Sequence, residues 1–247
     1  KNRINWTERE AQLRELSERY RNFPGDYNCI VPGSGGKDSF FQAHILKYEY
    51  GFRPLTVTWA PHLYTDWGWR NFHKWIGAGF DNYLVTPNSQ IHRLLTRLAV
   101  ENLFHPFQPF ILGQKNLAPR MALQTGIPLI FYGENEAEYG NPIDDNSRAT
   151  RDVAFFSKPQ GEVALGGMAI DEICRAFEID LRELSLYLPS EASTLEANNV
   201  EVHYLGHYLR WHPQSSYYYA VEHGGFEPSP ERTPGTYSKY NSIDDKV

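Results

Sequence analysis

The sequence predicts an α/β fold in which a parallel sheet is sandwiched by helices and followed by an irregular C-terminal region. Three observations point there. Apolar runs of strand type at 27–31, 54–60, 82–86 and 128–132 alternate with segments of helical periodicity, as in strands joined by helical crossovers. A glycine-rich stretch, Gly33-Ser34-Gly35-Gly36-Lys37-Asp38-Ser39, falls between the first strand and the helix after it. The 247 residues, 41% hydrophobic and 15% aromatic, carry enough apolar material to cover both faces of one sheet.

The chain starts with an amphipathic helix. Thr7 stands three residues before Glu10, the spacing of a capping box, and Leu13, Leu16 and Tyr20 recur on one face until Pro24 and Gly25 end it. The first strand, the glycine loop and a helix carrying Phe40, Ala43, Ile45 and Leu46 follow, with Gly51 as the stop. Strand 54–60 leads into a helix around 67–76, whose Trp67, Trp69 and Trp75 read either as core packing or as a docking surface for a partner. Strand 82–86 closes at Pro87-Asn88, helices at 89–103 and 109–125 come next, and the fourth strand runs into Gly133-Glu134-Asn135. In such sheets ligands bind beyond the carboxyl ends of the strands. Past Asn141 the alternation fades, leaving a helix at 168–177, extended chain at 201–209 and a long irregular loop at 222–245. His203 and His207, four apart in extended chain, are too separated for a metal pair. Tyr217, Tyr218 and Tyr219 read as stacking partners for a ligand or as alternating burial in a strand. The expected division is a domain at 1–190 and a C-terminal region at 191–247.

Composition excludes several classes. With 24 basic and 30 acidic side chains the net charge is −6 and the pI near 5.9, which weighs against a protein that grips nucleic acid through its phosphates. Cys29 and Cys174 are too few for a disulfide scaffold or a four-thiolate zinc site and suit a reducing cytoplasm. No uncharged apolar run approaches the roughly 18 residues of a membrane span. A first residue of Lys rather than Met predicts a missing leader, and the charged, uncapped end predicts a shortened C-terminus.

The glycine loop is the most informative feature. Successive backbone N–H groups in such a turn form an anion nest, the helix N-terminus adds partial positive charge, and Lys37 with the two serines completes a cradle for a polyanion. A Walker A loop would need glycine at Val31 and Ser or Thr at Asp38, and a dinucleotide fingerprint would need glycine at Asp38, so neither fits.

Residues 34–39 resemble instead the PP-loop of the ATP pyrophosphatase superfamily, HUP-like (adenine nucleotide alpha hydrolase-like) enzymes that cleave ATP to AMP and pyrophosphate. The resemblance implies that Ser34, Gly35, Gly36, Lys37, Asp38 and Ser39 hold the departing pyrophosphate, that Asp38 helps place Mg²⁺, and that Lys37 neutralises the leaving group. It also implies adenine against Thr58-Trp59-Ala60 and the ribose and α-phosphate near Gly133. Trp59 reads equally as a buried aromatic at a strand end. Four longer stretches, 131–140, 204–209, 217–226 and 235–240, together look like the N-acetyl sugar amidotransferase family of bacterial lipopolysaccharide O-antigen biosynthesis.

That second resemblance implies a reaction. ATP activates the acetamido oxygen of a UDP-linked, mannosaminuronic-type N-acetyl sugar, and ammonia then replaces the oxygen to give an acetamidino group. It implies a cytoplasmic bacterial enzyme that takes ammonia from a separate glutaminase subunit through a cyclase-like, ammonia-conducting subunit. Zinc is implied only through a leader absent from this chain. No protein nucleophile is needed, so the tasks are positioning, charge stabilisation and exclusion of water.

Further candidates surround this core. Glu134, Glu136 and Glu138 alternate after the fourth strand; Asn135 and Glu136 are placed to orient the acetamido group or ammonia, while a solvated acidic turn is the plainer reading. Lys239 is expected to bring positive charge to ATP when the terminal loop closes, or to be an ordinary surface lysine. His223 and Tyr237 are candidate substrate contacts. A tRNA-modifying PP-loop enzyme is the alternative, although both cysteines read as small buried residues rather than sulfur carriers. A non-catalytic ATP-binding subunit that regulates a partner is the third.

Overall fold

A computed structural model describes residues 4–133, 148–158 and 160–246. Its centre is a six-stranded sheet made of β1 (Cys29–Pro32), β2 (Pro54–Trp59), β3 (Asn82–Val85), β4 (Leu129–Tyr132), β5 (Thr150–Arg151) and β8 (Glu201–Tyr204). The order is β3-β2-β1-β4-β8-β5, parallel throughout except for the antiparallel edge strand β5. The α/β fold read from the sequence is therefore the one observed. A separate antiparallel pair joins β6 (Ala164–Leu165) to β7 (Met168–Ala169).

Alternating side chains feed two cores, one on each face. Ile30 of β1, Leu55, Val57 and Trp59 of β2 and Ile130 of β4 pack with helices α4 (Ser89–Leu103), α5 (Gln108–Thr125), α6 (Ile170–Phe177) and α7 (Ala192–Ala197). Cys29, Val31, Leu129 and Phe131 point the other way, onto α1 (Trp6–Tyr20), α2 (Lys37–Tyr48), α3 (Asp66–Gly77), α8 (Leu205–Tyr208) and α9 (Pro213–Gly224). Burial pushes the Cys29 thiol far above its usual range, so it is a small core residue, as its place in the first strand predicts. Trp75 is wholly buried in the α3 core, whereas Trp69 is half exposed.

Three local expectations change. The first helix is capped by Asn5, whose side chain accepts from the Glu8 amide, so it starts one residue before Thr7. The extended run expected at 201–209 ends at Tyr204 and becomes one helical turn, which lets the Gly206 amide donate to Gly133 O at 2.8 Å. The tyrosines 217–219 lie on α9 rather than on a strand, with Pro213 in its first turn and Gly225 ending it at φ +63°. The irregular loop begins only after that helix. No helix among the described residues is long and apolar enough to cross a membrane.

Candidate functional site

The glycine loop sits where β1 ends. The Gly33 amide donates to Val57 O of the neighbouring strand, and the chain then turns into α2 with Gly36 as its N-cap. Gly36 offers no side-chain cap, so the first amides of α2 are left for a ligand, unlike those of α1, α3 and α4, which Asn5, Thr65 and Asn88 cap. Gly35 has φ +89°, and a Cβ there would lie 2.6 Å from Phe72 Cα. Glycine is required at that point because α3 packs directly beneath the turn. Ser39 Oγ accepts from the Ser34 amide at 3.1 Å and Ser34 Oγ from the Gly36 amide at 3.3 Å, holding the turn closed.

Lys37 is nearly buried, ion-paired to Asp38 Oδ2, with its ammonium 5.6 Å from the centre of the Tyr240 ring. The other Asp38 oxygen is buried and has no hydrogen-bond partner among the described residues. That orphan suits a divalent ion held by one carboxylate together with phosphate oxygens. Elsewhere among the described residues no three His, Cys, Asp or Glu side chains gather as a metal site.

The C-terminal segment returns to this loop through Asp244 and Asp245, two carboxylates that sequence reasoning did not single out. Ser34 Oγ donates to Asp244 Oδ2 at 2.6 Å, and the Thr65 amide donates to Asp244 O at 3.1 Å. Asp245 accepts from the His62 and Leu63 amides at 2.8 and 3.2 Å. A Cβ on Gly68 would lie 2.4 Å from Asp244 O, so that glycine is what lets the segment settle on α3. Burial, Asp245 and Asp38 raise the Asp244 carboxyl above its usual range, the Ser34 bond opposing them. A side-chain carboxylate thus rests on the edge of the anion cradle.

A cavity of about 490 Å³ opens from the loop, lined by Ser34, Asp38, Ser39, Trp59, Lys115 and Gly133 among others. Trp59 is almost buried, and its indole nitrogen lacks a partner among the described residues. The ring lies so close to α5 that a Cβ on Gly113 would fall 2.3 Å from it. Gly133 has the same character, because its Cβ would lie 2.9 Å from Trp211 and 3.0 Å from Gln42 Oε1. Lys115 of α5 was also missed. Its ammonium stands 3.7 Å from the Phe155 ring centre, with the Arg151 guanidinium 3.9 Å from the same ring. Burial, Lys158 and Arg151 lower its pKa. No short motif surrounds Lys115; the lone glycine two residues earlier inside a helix was the available signal.

Other predicted residues fall elsewhere. Thr58 points away from Trp59, and its hydroxyl accepts from Asn82 Nδ2 at 2.9 Å. Glu134, Asn135, Glu136 and Glu138 lie outside the described residues. His223 stands on α9 beside Tyr219 and His44, with ring centres 4.2 and 5.2 Å away, and does not line the cavity. Lys239 donates to Pro230 O at 2.7 Å, and it lines a second cavity together with Tyr237. His203 is hydrogen-bonded to Tyr208 and Glu201 at 2.6 and 3.0 Å, which accounts for both ring nitrogens.

No protein-family model and no curated protein matches the chain. Among solved structures it is similar to an NH3-dependent NAD synthetase from Campylobacter jejuni, at 13% identity and TM-score 0.42 over 79% of this chain and 94% of that one. A tRNA thiolase from Methanococcus maripaludis, with its 4Fe-4S cluster, matches at 13% identity and TM-score 0.42 over 93% of this chain and 67% of that one. An NMN synthetase from Francisella tularensis matches at 13% identity and TM-score 0.35 over 95% and 100%. These likenesses are too distant to transfer an activity, so function is argued from the loop and the cavity.

Proposed function

We propose that the chain is a PP-loop enzyme that cleaves ATP to AMP and pyrophosphate, and that it uses the step to convert the acetamido group of a UDP-linked N-acetyl sugar into an acetamidino group. The observation that carries the reading is the uncapped glycine cradle at the end of β1, joined to a cavity that holds a part-desolvated lysine. An amide oxygen is a poor leaving group. Its attack on the α-phosphorus forms the O–P bond and expels pyrophosphate; ammonia then adds to the amide carbon, the C–O bond breaks, and the oxygen departs with AMP. The nitrogen left on carbon is the acetamidino nitrogen.

The residues divide this work. The uncapped first amides of α2 and the two serine hydroxyls hold the pyrophosphate as charge builds on it, with Lys37 beside them. Mg²⁺, when bound, would neutralise phosphate charge, and Asp38 is the residue placed to hold it. Lys115, facing the cavity, stabilises the AMP that stays on the activated oxygen. Trp59 and Gly133 shape the wall against which the nucleoside lies. The inert Cys29 thiol and the net charge of −6 support amide chemistry over sulfur transfer to tRNA. Ammonia comes, in this reading, from a partner glutaminase subunit through a cyclase-like subunit.

The test is incubation with ATP, ammonium and UDP-N-acetyl sugars. The expected result is AMP together with a sugar lighter by about one mass unit, oxygen having been replaced by NH. AMP formation that requires RNA instead points to a tRNA-modifying enzyme, and ATP binding without turnover points to a regulatory subunit.

A further inference from the structure

The C-terminal segment lines a second, open cavity of about 530 Å³, which shares no lining residue with the one that opens from the glycine loop. Gln214 and Tyr217 of α9 form one wall; Arg232, Tyr237, Ser238 and Lys239 form another. The side nearest the glycine loop is tightly built. Tyr240 stacks on Tyr217 with ring centres 4.3 Å apart and planes 16° apart, and its hydroxyl donates to Gln214 Oε1 at 2.7 Å. The Lys37 ammonium stands 5.6 Å from the centre of the same ring, so Tyr240 lines this cavity and lies beside the glycine loop.

The opposite side is made of unsatisfied chemistry. The Tyr237 ring is 93% exposed, and the Arg232 guanidinium stands 5.9 Å from its centre. Neither Arg232 nor Lys239 has a carboxylate partner among the described residues, and the Ser238 hydroxyl is buried without a hydrogen bond there. A fully exposed aromatic ring gains little by itself. Beside two uncompensated cations and an orphaned hydroxyl it offers what a phosphorylated aromatic ring needs: a face for the base and positive charge for the phosphates.

We propose that this cavity is a second nucleotide site, holding the nucleoside diphosphate that carries the sugar acceptor. The inference deepens the function proposed above and rests on it for the acceptor's identity. Tyr237 stacks on the base, Arg232 and Lys239 take the diphosphate, and the sugar end lies toward Tyr240, the side of the cavity nearest the cradle. The site also gives a role to Lys239, which lines this cavity and not the one that opens from the glycine loop.

Calorimetry of the full chain with UDP tests it, in the presence and absence of saturating α,β-methylene ATP. UDP is expected to bind with and without the analogue, and Tyr237→Ala and Arg232→Ala to weaken UDP at least tenfold while the analogue binds as in wild type. Arg232→Lys should recover part of the loss. Three results overturn the proposal: no UDP binding to the wild type, one-for-one displacement of UDP by the analogue, or wild-type UDP affinity in both alanine variants. Failure of the analogue to bind, with UDP bound, would instead overturn the ATP reading of the glycine loop.

Discussion

Asp244 is the sharpest point at which to test the cradle. Its carboxylate accepts from Ser34 Oγ at 2.6 Å, so a phosphate oxygen taking the same hydroxyl comes to about 4 Å from it. At that separation two like charges repel by about 4 kcal/mol with an effective dielectric near 20. Solvent reaching the part-buried loop and dissolved salt reduce this to roughly 1–2 kcal/mol, or about tenfold in affinity. Asp244→Asn keeps an acceptor for Ser34 and removes the charge. Metal-free ATP, titrated in EDTA at pH 7.5, should therefore bind the variant about tenfold more tightly. The sign with pH follows from the raised carboxyl pKa. In the wild type, affinity should climb as pH falls toward that pKa and the carboxylate is neutralised, and the variant should lose this dependence. Unchanged or weaker metal-free binding, in a variant whose melting curve matches wild type, would refute the reasoning.

Three further outcomes are expected. Gly113→Ala gains up to about 1 kcal/mol in helix propensity but drives a methyl to 2.3 Å from Trp59, and overpacking of about 1–3 kcal/mol wins; its melting temperature should fall, and a rise would contradict the close approach. Lys115→Met should lower AMP formation about a hundredfold, on the order of 3 kcal/mol, with ATP affinity within a few-fold of wild type and partial rescue by Lys115→Arg; equal loss of binding and turnover would make the lysine a mere ATP contact. His207 is held neutral, its pKa lowered to about 4 by burial, Arg9 and His203. A depressed pKa gives stability that is present above the unfolded value near 6.5 and lost as pH falls toward 4, on the order of 3 kcal/mol in all. His207→Gln should flatten that part of a stability profile measured by urea titration.

What could be read from the sequence depended on where the buried face draws its residues. α2 and α4 were legible because large apolar side chains recur at helical spacing between recognisable stops. α9 was not, because its buried positions are small: Ser216 and Ala220 are buried, and a Cβ on Gly224 would fall 2.1 Å from the Phe40 ring. Spaced four apart, these three let α9 lie close against α2, while the conspicuous tyrosines decorate its flanks. Pro213 and Gly225, at the two ends, were the overlooked boundary signals. The cradle was legible because all its parts are adjacent in the chain. Asp244, Lys115 and Arg232 were not, since each meets its site by folding; Asp244 lies 210 residues from Ser34.

Charge shows the same contrast between local and global reading. A net charge of −6 suggests poor affinity for a polyanion. Within the cradle, Lys37 is already paired to Asp38, and Asp244 adds a further negative charge, so its side chains alone do not make it strongly attractive. Attraction there comes from the uncapped amides of α2. The cation that lines the cavity is Lys115, which stands against Phe155. In the proposed reaction a triphosphate between these walls would meet fixed dipoles at one end and the Lys115 ammonium at the other. That division suits the proposed reaction, in which pyrophosphate must leave while AMP stays: the dipoles would receive the departing group without moving, and Lys115 would keep hold of the nucleotide that remains.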